Sequence, residues 1–203
     1  MKLIYYDYGG ITLNILFLDD EEDILEQAKI FLEKEDKRLS VDTVKDPKES
    51  IDVIRSNNYD AIISDYQMPD MNGLEILKLV REEMKNDIPF IILTGKGDEE
   101  IAMKALNLGA NSYFRKGVGK PEKNFALLVR VLAEEIKKYR EEKREEFLHD
   151  LLSHDLKNKL QGLTFYCELF RETELSKEEL EEYMEKMGKT SEEMGDLVKK
   201  INT

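Results

Sequence analysis

The sequence has too few cysteines for the disulfides that stabilise many secreted proteins, and it lacks the long apolar runs that span membranes. Its single cysteine, Cys167, has no second cysteine to pair with, so an internal disulfide is excluded. No apolar run approaches the roughly 18 residues that a membrane-spanning helix needs, and no signal-peptide pattern is visible. We therefore expect a cytoplasmic protein that acts without a membrane partner.

Basic residues are also too few for a typical nucleic-acid-binding protein. Lysine and arginine number 31 against 44 aspartates and glutamates, which leaves a net charge of −13 at pH 7. A surface with this excess of negative charge repels the phosphates of nucleic acids and of anionic lipids. We expect protein partners and no nucleic acid.

Four short, mainly apolar segments each end in polar side chains. A continuous apolar run that is closed by turn residues is typical of a buried strand in a parallel sheet. The carboxyl ends of such strands meet at one edge of the sheet, where open α/β proteins place their sites. The segments and the side chains that follow them are 15–18 with Asp19 and Asp20, 61–64 with Asp65, 89–93 with Thr94, and 111–114 with Lys116.

Segments with helical spacing separate these strands. Residues 23–34 carry apolar side chains three or four apart, and residues 46–49 have the acid, proline and glutamate that begin a helix. Residues 73–84 and 98–108 are predicted as further helices, and residues 39–44 as a fifth strand. Together with a fifth helix that starts near Pro121, five strands alternating with five helices predict an α/β fold with a doubly wound, five-stranded parallel sheet. The carboxylates, hydroxyl and ammonium at its edge suit a divalent metal ion and a phosphoryl group.

These residues resemble the receiver domain of response regulators, which has a flavodoxin-like fold. The motifs that carry the resemblance are Leu18-Asp19-Asp20-Glu21, Asp65 with Met68-Pro69-Asp70-Met71-Asn72-Gly73, Thr94-Gly95, and Gly109-Ala110 followed by Tyr113 and Lys116. All of them occur in the family's order and spacing. Gly117 departs from the family, which usually has proline after the lysine, so the conformation of the next loop does not follow from the resemblance.

The resemblance implies a role for each residue at the sheet edge. Asp65 would accept the phosphoryl group, and Lys116 would be the cation beside it. Thr94 and Tyr113 would form a switch pair. The implied Mg²⁺ ligands are Asp20 as the direct ligand, Asp19 beside it, Asp65, and the backbone carbonyl of Gln67.

Each of these side chains also has an ordinary structural interpretation. The alternatives are a solvated helix start at Asp19 and Asp20, a helix cap at Thr94, a surface lysine at Lys116 and a core tyrosine at Tyr113. The occurrence of all of them at strand ends, in one order, favours the functional interpretation.

Neither proline nor glycine occurs from residue 122 to residue 161, so no helix-breaking residue interrupts this stretch. We expect one long helix from Pro121 to Thr173 and a second helix that begins with a capping box at Ser176 and Glu179. The second helix carries a heptad seam at positions 180, 183, 187, 190, 194, 197 and 201. A hairpin of two helices is too small for a core of its own, so we expect a homodimer with a four-helix bundle.

A motif inside the long helix resembles the H-box of histidine-kinase dimerisation domains. The matching residues are Phe147, Ser153-His154-Asp155-Leu156, Lys157, Asn158 and Leu160, while Lys159 replaces the family's usual proline. The resemblance implies that His154 is the phosphoacceptor, Asp155 its acid–base partner and Asn158 a residue that positions water. His149, the other histidine, lies on the apolar stripe of the helix, which favours a structural role.

The two resemblances divide the chain into four parts. They are an N-terminal appendage at 1–11, a receiver domain at 12–120, a connecting signalling helix at 121–146, and a dimerisation and phosphoacceptor hairpin at 147–203. We expect a two-component phosphorelay protein in which a Mg²⁺-dependent receiver is coupled to a dimeric His154 domain. The expected partners are a cognate histidine kinase or ATP-binding domain, and downstream receiver or phosphotransfer proteins.

No glycine-rich ATP-binding stretch follows Leu160. We therefore expect the chain to be either a fragment of a receiver-headed histidine kinase, which we favour, or a natural phosphotransfer protein without an ATP site of its own. Whether the chain by itself is an enzyme stays open. The alternative function is a non-catalytic switch in which phosphorylation of the receiver drives a coiled-coil interaction.

Overall fold

The computed structural model describes residues 12–95, 99–117, 121–150 and 155–201. The predicted appendage at 1–11 and the predicted phosphoacceptor His154 lie outside the described residues. The chain divides after Tyr139 into two compact units, which we call the sheet unit and the hairpin unit. Within the described ranges, no helix is both long and apolar enough to cross a membrane.

The sheet unit is built on five parallel strands. They are β1 (Leu13–Leu18), β2 (Leu39–Val44), β3 (Ala61–Asp65), β4 (Phe90–Thr94) and β5 (Ser112–Arg115). Their order across the sheet is β2-β1-β3-β4-β5, which confirms the doubly wound, flavodoxin-like prediction. Because Leu18 pairs with Ser64 and Asp65 pairs with Leu93, the carboxyl ends of β1, β3 and β4 lie level at one edge.

Helices cover both faces of this sheet. They are α1 (Glu22–Glu35), α2 (Pro47–Ser56), α3 (Gly73–Lys78), α4 (Glu99–Asn107) and α5 (Pro121–Asp150). α1 and α5 pack around Phe17 on one face, and α2, α3 and α4 pack around Phe90 on the other. The predicted start of α2 is confirmed, since the Asp46 carboxylate accepts the Lys48 backbone N–H at 2.8 Å. The two apolar layers hold the polar edge of the sheet in place.

The helix predicted over residues 73–84 is α-helical only as far as Lys78. A π-helical turn continues it over Leu79–Glu83, where the Met84 N–H donates to the Leu79 carbonyl at 3.0 Å. Arg81 lies inside this turn and makes hydrogen bonds outside the helix. We attribute the departure from the prediction to these tertiary bonds, which periodicity in the sequence does not reveal.

Arg81 connects the segments that precede β4 and β5. Its guanidinium donates to the carbonyls of Asn86 (2.7 Å), Ile88 (2.8 Å) and Gly109 (2.9 Å), and to the Asn111 side chain (2.9 Å). Gly109 has a φ of +89°, a conformation that glycine adopts without strain. Arg81 therefore fixes where both strands enter the sheet.

The hairpin unit consists of the end of α5, together with α6 (Lys157–Glu172) and α7 (Lys177–Ile201). Leu156 is helical (φ −67°, ψ −42°) and Thr173 is extended, which confirms the predicted break. The capping box is confirmed too, since the Glu179 N–H donates to the Ser176 hydroxyl at 3.2 Å and the Ser176 N–H donates to the Glu179 carboxylate at 2.9 Å. Residues 151–154 lie outside the described residues, so the continuity of α5 with α6 stays a prediction.

The apolar seam of α7 is only partly covered by α6. Tyr166 of α6 packs on Tyr183 of α7 with ring centroids 5.7 Å apart. Yet in α6 and the described part of α7 no side chain is fully buried. The seam residues that are half-buried are Tyr183, Met187, Thr190, Met194 and Leu197. One hairpin alone therefore lacks a closed core.

Replacing Arg81 with alanine should lower the free energy of unfolding of the sheet unit by about 2–4 kcal/mol, because several acceptors would lose their donor at once. Arg81→Lys should recover only part of this loss, since one ammonium cannot reach acceptors spread over two segments. Urea denaturation followed by circular dichroism measures the change. Lys78→Ala, at an exposed position of α3, is the matched control, and equal losses in both alanine variants would contradict the role of Arg81.

Candidate functional site at the carboxyl edge of the sheet

The Lys116 ammonium joins two buried carboxylates at this edge. Asp19 follows β1 and is fully buried, and Asp65 ends β3 with 7% of its surface exposed. The Lys116 Nζ lies 2.8 Å from Asp65 Oδ1 and 3.0 Å from Asp19 Oδ2. The other Asp19 oxygen accepts the Glu21 backbone N–H at 3.0 Å. The three strands thus deliver one cation and two anions to a single point, and Lys116 is not an ordinary surface lysine.

Burial and charge act in opposite directions on these groups. Burial raises the pKa of the Asp65 carboxyl, while the hydrogen bond and charge of Lys116 lower it, and the net shift is upward. Burial would lower the pKa of Lys116, but the hydrogen bonds and charges of Asp65 and Asp19 outweigh it, so the pKa of Lys116 is raised. Lys116 is therefore charged at neutral pH, and the ion pairs oppose the protonation of Asp65 that burial favours.

A group of three acidic side chains can hold a metal ion here. One carboxylate oxygen from each of Asp19, Asp20 and Asp65 lies within 4.8 Å of the other two. Mg²⁺ prefers a few carboxylate oxygens and keeps its remaining positions for water and phosphate, so this donor set fits it. Gln67 lies in the loop after β3 with its side chain exposed. The participation of its carbonyl stays a prediction.

Gly73 allows the loop after β3 to close against Asp65, a requirement that the sequence analysis missed. A Cβ atom on Gly73 would lie 2.3 Å from the Asp65 carbonyl oxygen, so a side chain has no room. The same carbonyl accepts the Ser64 hydroxyl at 2.9 Å. Asn72 then caps α3, accepting the backbone N–H groups of Leu74 and Glu75. In the sequence, a glycine directly after a helix-capping asparagine was the pattern that could have indicated this close approach.

The predicted switch residues lie on neighbouring strands and differ in exposure. Thr94 ends β4 and is 3% exposed, and its carbonyl accepts the Lys116 N–H at 2.8 Å. Tyr113 lies in β5 with 47% of its surface exposed. Neither structural alternative applies, because Thr94 belongs to a strand and Tyr113 is not part of the core. Their role as a switch pair stays a prediction.

The residues of the second motif are described only in part. His154 lies outside the described residues, and its predicted partners Asp155 and Asn158 are exposed. The His149 side chain is 79% exposed, so it is not part of a core within a single chain, and the structural role expected for it stays a prediction. Lys159, at the position of the family's usual proline, forms an ion pair with Glu193 of α7. This lysine therefore joins the two helices of the hairpin.

Comparison with known families agrees with both motifs. Residues 15–127 match the response regulator receiver domain, and residues 143–203 match the His Kinase A phospho-acceptor domain. The first match covers more than half of the chain, which belongs to the response regulator receiver family. The fusion of this receiver to a phospho-acceptor domain makes it a two-component signalling protein, as both resemblances predicted. The finer domain boundaries stay a prediction.

Individual relatives match part of the chain. It is 35% identical over 140 residues to the response regulator SaeR of Staphylococcus aureus, covering 69% of this chain and 59% of that protein. The chain thus spans less than two thirds of that relative. A receiver domain protein from Clostridium thermocellum is 30% identical with a TM-score of 0.54, covering 63% of this chain and 97% of the other. The chemotaxis response regulator CheY4 of Vibrio cholerae is 29% identical with a TM-score of 0.52, covering 59% and 98%.

Removal of the central cation should destabilise the sheet unit. In Lys116→Met, Asp19 and Asp65 would stay buried without a counter-charge, and we expect a loss of about 2 kcal/mol, discounted because Lys116 is one-third exposed. Mg²⁺ should restore more stability to this variant than to the wild type, since a metal ion supplies the missing positive charge. Urea denaturation with EDTA and with Mg²⁺ measures both effects. Lys104→Met, which breaks only an exposed pair with Glu100, is the control, and equal responses to Mg²⁺ in all three proteins would contradict this account.

Proposed function

We propose that the chain is a phosphotransfer protein in which Asp65 accepts a phosphoryl group in a Mg²⁺-dependent reaction. The observation that carries the proposal is the Lys116 ammonium within 3.0 Å of both Asp19 and Asp65, with the Asp20 carboxylate completing a metal-binding group. Charges of opposite sign converge here on a nucleophile that is almost buried. Such an arrangement favours transfer of an anionic phosphoryl group over chemistry on a neutral substrate.

The transfer itself needs little covalent machinery. An Asp65 carboxylate oxygen forms a bond to phosphorus, while the bond from phosphorus to the donor's leaving oxygen breaks and its electron pair departs with the donor. Lys116 remains positively charged and stabilises the oxygens of the transferred group, so no base is required at Asp65. When bound, Mg²⁺ would supply a second positive charge that holds phosphoryl oxygens in line with the nucleophile. Its proposed ligands are Asp19, Asp20, Asp65 and the Gln67 carbonyl.

We propose that Thr94 and Tyr113 report the phosphorylated state to α5. Thr94 is joined through its carbonyl to the backbone of Lys116, so a new group on Asp65 would act on a residue already linked to the reactive lysine. α5 begins soon after Lys116 and passes Tyr139, where the sheet unit ends. The Tyr139 hydroxyl donates to Asp87 at 3.0 Å, which ties this end of the sheet unit to the loop before β4.

The second half of the proposal concerns His154. The His Kinase A match supports a phosphoacceptor histidine in this part of the chain. A neutral imidazole nitrogen of His154 would attack the terminal phosphorus of ATP held by a separate ATP-binding domain, and ADP would leave. Asp155 would orient the ring or accept its proton, and Asn158 would position water for dephosphorylation. The ATP-binding domain would come from the rest of a longer kinase or from a cognate partner.

Two different chemistries should label two different residues. A small acyl phosphate with Mg²⁺ should phosphorylate Asp65, which gives an adduct that survives acid and is lost in base. An ATP-binding kinase domain added in trans should label His154, with the opposite lability. Asp65→Asn should abolish only the first label, and His154→Gln only the second. Phosphate incorporation is followed with a radioactive donor.

Matched variants test the assignment of Asp65 and His154 as the two phosphoacceptors. Asp52→Asn changes an exposed carboxylate on α2 and should leave the acyl-phosphate label unchanged. His149→Gln removes the other histidine and should leave the second label unchanged. A trans label that needs His149 instead of His154 would overturn that assignment. Incorporation from ATP without an added kinase domain would overturn the proposal that ATP is bound elsewhere. If phosphorylation of Asp65 still changes association of the hairpin unit in His154→Gln, that result would favour the non-catalytic switch.

The hairpin unit should form a homodimer. His Kinase A domains typically dimerise, and the described hairpin has no fully buried side chain to stabilise it alone. Leu180, Met184 and Val198 lie on one exposed side of α7. We expect light scattering at micromolar concentration to give twice the chain mass of 23.7 kDa. Met184→Glu should weaken the dimer, whereas Lys189→Glu, on another side of α7, should not, and a monomeric wild type would rule the dimer out.

A further inference from the structure

The segment after Lys116 is held by a side chain of α5. The Gly117 carbonyl accepts the Asn124 Nδ2 hydrogen at 3.3 Å. A Cβ atom on Gly117 would lie 2.2 Å from Asn124 Oδ1 and 2.8 Å from its Cγ, so the amide group occupies the space of a missing side chain. Gly117, which stands where the family usually has proline, therefore leaves room for the Asn124 side chain to pack against it.

The backbone of Lys116 is fixed on its other side by the sheet. Its N–H donates to the Thr94 carbonyl at 2.8 Å, which continues the pairing of β5 with β4. β5 ends at Arg115, so this pairing does not extend past Lys116. The contact with Asn124 is the next described restraint along the chain. Lys116 is thus held between β4 and α5.

A half-open pocket lies beside this segment. It measures about 200 Å³ and is lined by apolar side chains of the core together with Lys116, Gly117 and Asn124. A proline ring would stiffen this position, whereas glycine leaves its backbone free to rotate. The restraint on Lys116 must therefore come from a contact.

We propose that Asn124 is a positioning residue for phosphoryl transfer, acting through Gly117 to hold the Lys116 ammonium between Asp19 and Asp65. The inference rests on the proposed function of Asp65. Asn124 touches neither the phosphoryl group nor the carboxylates. Its effect is to keep the Lys116 segment at the place where Nζ meets both buried anions.

The labelling rate of Asp65 by a small acyl phosphate tests this role. Asn124→Ala should slow labelling about tenfold, since small displacements of a reacting or charge-stabilising group cost large factors in rate. Mg²⁺ affinity should stay near that of the wild type, because the three metal-binding carboxylates do not contact Asn124. Asn124→Asp keeps the shape but loses the donor to the Gly117 carbonyl, so it should also be slow. Lys123→Ala, an exposed neighbour on α5, should label at the wild-type rate.

Combined variants separate positioning from a general structural role. Gly117→Ala should displace Asn124 and slow labelling, and adding it to Asn124→Ala should cause little further loss. In a Lys116→Met background, Asn124→Ala should have no effect on the labelling rate. Wild-type rates in Asn124→Ala, or independent effects of Asn124→Ala and Lys116→Met, would overturn the inference.

A measurement without phosphorylation keeps this inference separate from the proposed function. In urea denaturation, the shift of the midpoint caused by Lys116→Met should be smaller in the Asn124→Ala background, because the ion pairs of Lys116 would already be weakened. Equal shifts in both backgrounds would overturn the positioning role. If the wild type is not labelled at Asp65, the proposed function fails, and this cycle of variants still decides whether Asn124 positions Lys116.

Discussion

The contact between Lys116 and two buried carboxylates is the constraint that the architecture of the sheet unit has to satisfy. Asp19 and Asp65 are placed away from water, where an unpaired charge is costly, and the ammonium within 3.0 Å of both offsets that cost. The three residues come from three strands, so the ion pairs require the order and register of the parallel sheet. The two apolar layers around Phe17 and Phe90 hold that register.

This arrangement explains how a stable fold keeps a reactive edge. Burial favours the neutral form of Asp65, whereas the nucleophile role proposed for it needs the ionised form, and the positive charge of Lys116 opposes the effect of burial on its pKa. The two buried carboxylates have a counter-charge, yet the site stays accessible to solvent, because the Lys116 side chain is one-third exposed. The third carboxylate, Asp20, lies close enough to the other two for all three to hold a metal ion. The phosphoryl group proposed to bind here is dianionic and would rearrange these contacts, as a switch requires.

The two units differ in how they obtain stability. The sheet unit has its own core, and the half-buried Arg81 donates hydrogen bonds to carbonyl and amide oxygens of other segments. The described hairpin has half-buried residues along one seam and no buried ones. A receiver that is stable by itself can change state without unfolding, while a hairpin that depends on a partner couples its own order to association. This division of stability suits the regulation of the second unit by the first.

The sequence alone determined the alternation of strands and helices, the polar edge, the start of α2, the break before α7 and the cap at Ser176, because each depends on local periodicity or on a short motif. The order of the strands across the sheet was expected only from the resemblance to receiver domains. Only the tertiary structure decided the π-helical turn, since the bonds of Arg81 to Gly109 and Asn111 span about thirty residues of sequence. It also decided the roles of Gly73 and Gly117, where the reason for glycine is the backbone of Asp65 in one case and the amide of Asn124 in the other. A single sequence shows which residues are small, but the atom that fills the space beside them comes from a distant segment, and its position follows only from the packed fold.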